Sequence, residues 1–361
     1  MKKKAVIWGM GGTARYFLNK KGFYRDFEII ALTDNNPEMW HKEYCGFKVI
    51  EPSELLNMAY DYIIICSVHI LEIRKQLEEN LSVEHDKILT SFEIDDNIKN
   101  KVLEKYASVQ DEEIQDVIGY FKDKGLNVYG SYVAAKQDYL VYRDEEQHPY
   151  IMFENKRMYF PDTYSFLKMD GKEFVDDVLY EQKERSPHQY ICKKDDIKQN
   201  SVIVDGGVCE GNFALSYIDK AKKIYLIEAD GEWMQALKRT FQPYRDKVVF
   251  CQKFLTRYDS ANTVTLDSLV SEKIDFLKMD IEGAEIDALL GGRKTLQRSN
   301  ARCAVCSYHK QNDEENIRYI LESYGYRTQT SKGYIFFAYD ENIVDTLDLR
   351  RGVVYGYKTE D

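Results

Sequence analysis

The amino-acid sequence predicts an α/β protein with two successive doubly wound units, each built on a mostly parallel sheet. Three observations support this prediction. Short apolar runs alternate with helix-length segments twice along the 361 residues, a glycine-rich turn follows the first strand of each alternation, and acidic residues stand where several strands end. Strands separated by helix-length connections pair in parallel through right-handed crossovers, with helices on both faces of the sheet.

The first alternation covers residues 1–96, which we predict to be one domain. Its strands are the apolar runs KAVIWG, FEIIALTD, YDYIIICSV and KILTS, and its helices cover residues 13–20 and 72–80. Residues 97–150 follow as a helical connector, because IKNKVLEKYASVQDEEIQDVIGYFKDKG is charged, periodic and poor in turn formers. The tyrosine-rich residues 139–161 predict a hairpin or short strands.

The second alternation lies in residues 151–361, the predicted second domain. Its strands are the runs SVIVDGG, KIYLIEAD, KVVFCQ, IDFLKMD and ARCAVCSY. Its helices cover residues 212–221, 232–241, 285–297 and 313–324. The apolar run GYIFFAY predicts an antiparallel last strand, so this sheet should be mostly parallel with one reversed strand.

Composition excludes several classes of protein. The net charge of −11 and the isoelectric point near 5.3 argue against a surface for nucleic acid or anionic membrane. The opening MKKKAVIWG has an apolar segment too short for a signal peptide, and no later run approaches membrane-spanning length. Seven scattered cysteines are typical of reduced cytoplasmic thiols, and we interpret the CxxC pair Cys303 and Cys306 as strand residues. We therefore expect a cytoplasmic protein.

A glycine-rich turn opens the second alternation. In VIVDGGVCEGNFAL, Asp205, Gly207 and Gly211 follow a predicted strand and precede a predicted helix, which begins at Asn212. Glycines let the backbone approach a ligand closely at such a turn. The carboxylate of Asp205 suits a positively charged ligand better than a phosphate. A tight turn that binds nothing is the alternative.

An acidic residue ends the next predicted strand, in the run YLIEAD. Glu228 at the tip of this strand suits hydrogen bonds to the two hydroxyls of a ribose, and Asp230 is a second candidate for the same contact. Together with the glycine-rich turn, these acids indicate a cationic nucleoside. S-adenosylmethionine is the common one.

Three carboxylates follow the fourth strand, in IDFLKMDIEGAEIDALLGG. Sites in open α/β sheets form outside the carboxyl ends of the strands, so Asp280 and Glu282 should lie beside the Asp205 turn. A sulfonium centre and the proton of an acceptor group would make such clustered acids tolerable. Glu285 is more simply explained as complementing the N-terminus of the following helix.

The segments VIVDGGVCEGNFAL, IYLIEAD, VTLDSL, FLKMDIEGAE and CAVCSYH together resemble the FkbM-type methyltransferase family, over roughly residues 175–340. The resemblance implies a class I S-adenosylmethionine-dependent methyltransferase fold. It also implies methylation of hydroxyl groups, since many members act on sugars or natural products. The turn from Asp205 to Asn212 would then lie against the amino-acid end of the cofactor.

Methyl transfer to a hydroxyl requires a base, and three residues are candidates. Asp280, Glu282 and His309 should all face one edge of the sheet, and the sequence does not distinguish among them. A structural hydrogen bond is the alternative for His309, which lies just before a predicted helix. His188, in SPHQY, could belong to a lid or simply to a turn.

A metal requirement stays open at this point. Asp267, in VTLDSL, is interpreted as the cap of a helix that begins near Ser268. The alternative is that Asp267 and Asp280 share a divalent ion.

The first alternation also begins with a nucleotide-type turn. In VIWGMGGTA, Gly9, Gly11 and Ala14 follow a strand and open a helix, and Asp34 ends the next strand. The runs LTDNNP and GFKVIEPSEL resemble sugar-nucleotide-binding domains found beside glycan-modifying enzymes, and residues 67–69 could add contacts. A Rossmann-like domain without a ligand is the alternative to nucleotide or nucleotide-sugar binding.

These inferences converge on one hypothesis with two alternatives. The hypothesis is a methyltransferase that uses S-adenosylmethionine to methylate a hydroxyl of a sugar, a glycan or a nucleotide-linked sugar, with a Rossmann-like first domain that helps to bind this acceptor. The first alternative is an NAD(P)-dependent oxidoreductase. The second is a non-catalytic nucleotide-sugar-binding protein. An oligomer is compatible with all three.

Overall fold

The structure is a computed structural model that describes residues 2–134, 139–162, 175, 179–193 and 195–358. The chain forms two compact units. The first comprises Met1–Gly130 and Phe336–Leu349, and the second comprises Ser131–Ile335 and Arg350–Asp361. The first unit therefore extends beyond residue 96 to include the first part of the segment interpreted as a connector, and a short segment near the C-terminus returns to it.

The first unit contains a six-stranded sheet in the order β3-β4-β2-β1-β5-β6. Its neighbouring strands are parallel, except that β3 and β4 are antiparallel. The chain moves outward from β1 through β2 to β4 and then returns to β5 on the other side of β1, which is the doubly wound order. The strands are β1 (Lys3–Trp8), β2 (Phe27–Thr33), β3 (Glu43–Tyr44), β4 (Phe47–Ile50), β5 (Tyr62–Ile65) and β6 (Ile88–Thr90).

Alternate residues of β1 enter two different hydrophobic clusters. Ala5 and Ile7 pack on one face of the sheet, and Val6 and Trp8 pack on the other. Burial on both faces explains why this strand is a continuous apolar run. The helices of this part of the unit are α1 (Gly12–Asn19), α2 (Ile70–Lys75, continued by a π-helical turn at Gln76–Asn80), α3 (Ser91–Tyr106) and α4 (Glu112–Lys124).

Local capping fixes the starts of α3 and α4. The side chains and backbones of Thr90 and Glu93 form a reciprocal capping box at α3. The side chain of Asp111 accepts a hydrogen bond from the backbone of Ile114 at the start of α4. The helical prediction is thus confirmed as far as Lys124, but the later part of the predicted connector contains the strand Val141–Arg143 instead.

The second unit contains a seven-stranded sheet in the order β12-β11-β10-β15-β16-β18-β17. Along this order, β12, β11, β10, β15 and β16 each run parallel to the next strand. Strand β18 is antiparallel to both of its neighbours, β16 and β17. The predicted mostly parallel sheet with one reversed strand is confirmed. The strands of the unit are β7 (Val141–Arg143), β8 (Pro149–Phe153), β9 (Lys156–Tyr159), β10 (Ser201–Gly206), β11 (Ala221–Ile227), β12 (Val248–Cys251), β13 (Phe254–Leu255), β14 (Thr263–Val264), β15 (Phe276–Met279), β16 (Arg302–Cys306), β17 (Arg327–Thr330) and β18 (Val353–Tyr357).

The identity of the reversed strand differs from the prediction. GYIFFAY was expected to supply it, but this run contributes only an isolated bridge between Ile335 and Arg350. Ile335 and Phe336 are fully buried without belonging to a strand, so their apolar character reflects packing and not a ladder. The antiparallel strand is β18, which lies nearer the C-terminus.

Strands β7, β8 and β9 form a separate antiparallel sheet, as the tyrosine-rich region predicted, and β13 pairs with β14. The fully described helices of the second unit are α5 (Asn212–Tyr217), α6 (Gly231–Thr240), α7 (Leu266–Leu269), α8 (Glu285–Gly291), α9 (Arg293–Arg298) and α10 (Asp313–Ser323). The returning segment of the first unit contains α11 (Ile343–Thr346). Across the described residues, none of these helices has the length and apolarity needed to cross a membrane.

The single helix predicted over residues 285–297 is instead two helices, α8 and α9, separated at Gly292. A β-carbon on Gly291 would lie 2.2 Å from the carbonyl oxygen of Thr256, and one on Gly292 would lie 2.8 Å from Leu266 Cδ2. The two glycines thus allow a close approach to neighbouring segments, where the helix direction changes.

Candidate functional site

The candidate site lies at the carboxyl edge of the second sheet, where β10 and β15 end side by side. Gly206 pairs with Met279, and the backbone N–H of Asp280 donates to the carbonyl oxygen of Gly206 at 3.0 Å. The structure therefore brings the Asp205 turn and Asp280 to the same edge.

Gly207 permits this close approach. Its φ is +72°, and a β-carbon would lie 1.6 Å from the carbonyl oxygen of Asp280. Gly211 has φ +82°, and a β-carbon there would lie 2.8 Å from Leu237 of α6 and 3.0 Å from Phe241 directly after it, both of which are buried. Gly211 is thus needed for packing of the turn, a requirement the sequence analysis did not anticipate.

Asp205 itself is buried and forms an ion pair. The ammonium nitrogen of Lys278 on β15 lies 3.1 Å from Asp205 Oδ1 and also donates to the carbonyl oxygens of Gly206 and Gly207. Burial alone lowers the pKa of Lys278, but the charges of Asp205 and Asp280 outweigh burial and raise it. Asp205 therefore fixes the turn through Lys278, and its own charge is compensated within the protein.

Glu228 directly follows β11, and its carboxylate links this strand to the glycine-rich turn through hydrogen bonds. Its Oε2 accepts the backbone N–H of Cys209 and its Oε1 accepts that of Asp230, both at 2.9 Å. The carboxylate is half-buried and thus remains reachable from the sheet edge. Asn212 begins α5 beside this turn and is buried.

Asp230 has a structural role that the sequence analysis did not assign to it. Its Oδ1 accepts the backbone N–H groups of Glu232 at 2.8 Å and Trp233 at 3.0 Å, which makes it the N-cap of α6. This capping explains an acidic residue at this position without a ribose contact.

Asp280 lies at the centre of a largely buried group of ionisable side chains with one exposed member, Glu282, which we call the Asp280 cluster. Its Oδ1 is 3.4 Å from His309 Nε2, and its Oδ2 is 3.3 Å from His188 Nε2. The hydroxyl of Tyr190 donates to Oδ2 at 2.7 Å. The members of the cluster are Glu181, His188, Tyr190, Asp280, Glu282, Glu285 and His309.

Further carboxylates flank both imidazoles of the cluster. His309 Nδ1 lies 3.1 Å from Glu285 Oε1, and His309 Nε2 lies 3.7 Å from Glu282 Oε2. His188 Nδ1 lies 3.4 Å from Glu181 Oε2. Imidazoles and carboxylates thus alternate from Glu181 through Asp280 to Glu285.

This alternation raises the pKa values of the two imidazoles and lowers that of the Asp280 carboxyl. Burial lowers the pKa of each imidazole, but the adjacent carboxylates outweigh burial and raise the pKa of His188 and of His309. Burial by itself raises the pKa of the Asp280 carboxyl, but the two histidines hold it well below its usual range. Asp280 is therefore ionised at neutral pH.

Two acidic residues have roles different from those expected. Glu285 Oε1 accepts the backbone N–H of Ile281 at 2.9 Å, and the same residue contacts His309, so it does more than complement a helix N-terminus. Asp267 accepts the N–H groups of Lys294 and Thr295 and so caps α9, whereas the helix near Ser268 is capped by Thr265.

Tyr190 and Lys278 contact this site although the sequence analysis did not single them out, and His188, which it left open between a lid and a turn, lies against Asp280. The side chain of Gln182 holds the segment of His188 and Tyr190 in place. Its amide N–H donates to the carbonyl oxygen of His188, and its amide oxygen accepts the backbone N–H of Tyr190. Only Lys278 has a clear sequence signal, because it is a charged residue within a buried strand. His188 and Tyr190 are remote in sequence from Asp280, and no local pattern predicts that they lie against it.

A cavity of about 1090 Å³ borders the second unit near α5. Gln182, which bonds to His188, belongs to its lining, and so does Asn212 at the start of α5. The rest of the lining combines aromatic rings with amides and charged groups, among them Tyr139, Phe153, Gln189, Lys193, Phe213 and Tyr217.

The nucleotide-type turn of the first unit has a structural requirement of its own. Gly9 has φ +118°, and a β-carbon there would lie 2.5 Å from the carbonyl oxygen of Cys66, beyond the end of β5. A β-carbon on Gly11 would meet no atom within 4 Å. Asp34 follows β2, and its Oδ1 accepts the N–H of Asn36 at 2.9 Å.

Comparison with known proteins gives one partial sequence match and several structural similarities. A family model described as C2185-like, N-terminal, matches residues 1–89, which lie in the first unit. No curated protein matches the chain.

Three of the similar solved structures illustrate the range of overlap. Methyltransferase FkbM from Methylobacillus flagellatus KT is 15% identical, over 98% of this chain and 90% of that chain, with a TM-score of 0.46. A putative methyltransferase from Streptococcus mutans in complex with SAH is 13% identical, over 45% and 91%, with a TM-score of 0.33. An rRNA methylase from Streptococcus thermophilus is 15% identical, over 46% and 91%, with a TM-score of 0.30.

Proposed function

We propose that this protein is an S-adenosylmethionine-dependent methyltransferase that methylates a hydroxyl group of a sugar, a glycan or a nucleotide-linked sugar. The observation that supports this proposal is the meeting of the glycine-rich turn, Glu228 and the Asp280 cluster at one edge of the second sheet. In open α/β sheets this edge is where ligands bind. The sequence resemblance to FkbM-type enzymes rests on the same segments.

The residues at this edge fit a cationic nucleoside. The turn around Gly207 presents backbone close to Asp280, and the half-buried carboxylate of Glu228 can accept hydrogen bonds from ribose hydroxyls. The cluster has four carboxylates, Glu181, Asp280, Glu282 and Glu285, against two imidazoles, so it stays negative even when both imidazoles are protonated. A sulfonium charge would be stabilised beside it.

When bound, S-adenosylmethionine supplies an electrophilic methyl group. The contribution of the chain is to align the acceptor oxygen with that group and to exclude other orientations, and alignment of this kind provides about 7–11 kcal/mol in well-oriented systems. Asp280, Glu282 and His309 are the side chains available to bind or deprotonate the acceptor hydroxyl.

A carbohydrate acceptor is favoured by the lining of the large cavity. Aromatic rings such as Tyr139 and Tyr217 offer flat apolar faces to a sugar ring, and Gln182 and Gln189 offer amide groups to its hydroxyls. We also propose that the first unit, through Gly9, Gly11 and Asp34, binds a nucleotide or the nucleotide part of such an acceptor.

Calorimetric titration of the full chain with S-adenosylmethionine, NAD and UDP-sugars tests the proposal. We expect micromolar binding of the methyl donor, at least about ten-fold weaker in Glu228→Ala, because the ribose contacts are lost. Glu272→Ala removes an acid from a surface ion pair with Lys223 and is the matched control, with unchanged binding expected.

A transfer assay with isotopically labelled methyl donor and a panel of nucleotide sugars identifies the acceptor. Label should appear in the sugar and fall strongly in Asp280→Asn. Binding of NAD without the methyl donor would instead favour the oxidoreductase alternative. Binding of UDP-sugars alone, unaffected by Asp280→Asn, would favour the non-catalytic one.

A further inference from the structure

Three side chains of the Asp280 cluster converge on one small volume. Asp280, Glu285 and His309 each offer a ligand atom, and these atoms all lie within 4.8 Å of one another. The side chains of Glu285 and His309 are 1% and 3% exposed, and that of Asp280 is 15% exposed. From this convergence we propose that Asp280, Glu285 and His309 form a binding site for a divalent metal ion.

The hydrogen bonds of the two carboxylates support the proposal. Each carboxylate has one oxygen held by a donor: Tyr190 donates to Asp280 Oδ2, and the backbone N–H of Ile281 donates to Glu285 Oε1. The other oxygens, Asp280 Oδ1 and Glu285 Oε2, are buried and accept no hydrogen bond from the described residues. A buried carboxylate oxygen without a donor is unfavourable, and a cation at the convergence point would compensate both.

The surrounding groups resemble the supporting shell of a metal site. His188 and Tyr190 orient Asp280 from the side away from His309, and Ile281 orients Glu285. Such outer contacts fix the direction of metal ligands and are a regular feature of metal sites. The same contacts leave one free oxygen on each carboxylate.

Glu282 completes the environment from the solvent side. Its side chain is 87% exposed, and its Oε2 lies 3.7 Å from His309 Nε2, so a rotation could bring it to the ion. Exposure at this position also leaves room for water or another oxygen ligand. Glu282 is therefore the member of the cluster that faces solvent.

The donor set indicates the class of metal. Two carboxylates and one imidazole, with no thiolate among the three, suit ions such as Mn²⁺, Mg²⁺ or Zn²⁺ better than soft ions. Binding of the ion does not depend on the proposed methyl transfer. If both proposals hold, the ion would lie where an acceptor hydroxyl could coordinate it and lose its proton more easily.

Titration with Mn²⁺ tests the site directly. The full chain is dialysed against a chelator, and the electron paramagnetic resonance signal of free Mn²⁺ is followed as protein is added, without methyl donor or acceptor. We expect one saturable site per chain, with Mg²⁺ and Zn²⁺ as competitors. Affinity should fall at least about ten-fold in Glu285→Gln and in Asp280→Asn, because each substitution removes a negatively charged ligand.

Glu272→Gln is the matched control, since it neutralises an acid of the same unit whose partners are Lys223 and Tyr225, outside the Asp280 cluster. It should bind Mn²⁺ like the wild type. Circular dichroism verifies that each variant is folded, and the wild-type titration decides the question even if a variant is not. Absence of saturable binding of all three ions at millimolar concentration would overturn the proposal, as would wild-type affinity in both folded ligand variants. That result would leave a protonated His309 as the cation between Asp280 and Glu285.

Discussion

The hydroxyl of Tyr190 donates a 2.7 Å hydrogen bond to Oδ2 of Asp280, across 90 positions of sequence. Tyr190 is 5% exposed, so water does not replace this bond when it is lost. The bond links the segment before β10 to the end of β15 and orients the central carboxylate of the cluster.

Replacement of Tyr190 by phenylalanine should impair turnover more than binding of the methyl donor. A hydrogen bond to a charged group contributes about 1.5–3 kcal/mol, so we expect kcat to fall roughly ten-fold or more while the Kd for the donor changes little. The measurement is the labelled-methyl assay together with calorimetry.

Tyr326→Phe provides the control for this substitution. The hydroxyl of Tyr326 is also buried and donates to the carbonyl oxygen of Leu296, within the same unit but outside the cluster. Its loss should lower stability without affecting kcat. Equal effects of both substitutions on kcat would mean that Tyr190 acts only through general stability.

Replacement of Gly207 by alanine should strongly destabilise the second unit. The new β-carbon would overlap the carbonyl oxygen of Asp280, and φ +72° is strained for any residue with a β-carbon. We expect a loss of several kcal/mol in the free energy of unfolding, measured by urea denaturation. Gly11→Ala should change the free energy by no more than about 0.5 kcal/mol, because a β-carbon there meets no atom. A small effect at Gly207 would contradict the tight contact between the two strand ends.

Removal of the ammonium group of Lys278 should leave Asp205 as an uncompensated buried charge. Lys278→Met should therefore reduce the free energy of unfolding by about 3–5 kcal/mol. The double variant Asp205→Asn with Lys278→Met removes both charges and should recover part of this loss. A double-mutant cycle measured by urea denaturation gives the coupling. If the two single effects simply add, the ion pair does not couple these residues.

The buried acid Glu210 should make stability depend on pH. Burial and the nearby charge of Glu181 raise the pKa of Glu210 from 4.5 to about 8, with Cys209 and Lys278 opposing this rise. Because the folded state binds the proton more tightly than the unfolded state, this contribution to stability is complete below pH 4.5 and is lost as the pH rises towards 8.

Urea denaturation of the wild type and Glu210→Gln across this pH range measures the effect. The difference between their free energies of unfolding should change by at most about 1.4 kcal/mol for each pH unit, with the wild type losing stability relative to the variant. Titrations of other groups are shared by both proteins and cancel in the difference. Parallel curves would show that Glu210 does not titrate in this range.

The sequence predicted the parts of the fold that depend on local patterns. The apolar runs of β1, β10 and β15 are buried on both faces, and such runs are recognisable without tertiary information. The prediction of a strand failed where a buried segment does not pair with a strand. Ile335 and Phe336 are buried but belong to no strand. An apolar run shows that a segment is inside the protein, and it does not show which partner the segment has.

The same division holds for the candidate site. The sequence alone determined that Asp205, Glu228 and Asp280 lie at the ends of strands of one sheet, because strand ends are marked by the change from apolar to charged residues. Only the tertiary structure decided that His188 and Tyr190 lie against Asp280, that Lys278 compensates Asp205 and that Asp230 caps α6. Contacts between side chains depend on distance in space, and sequence spacing constrains that distance only within a turn or along one helix or strand.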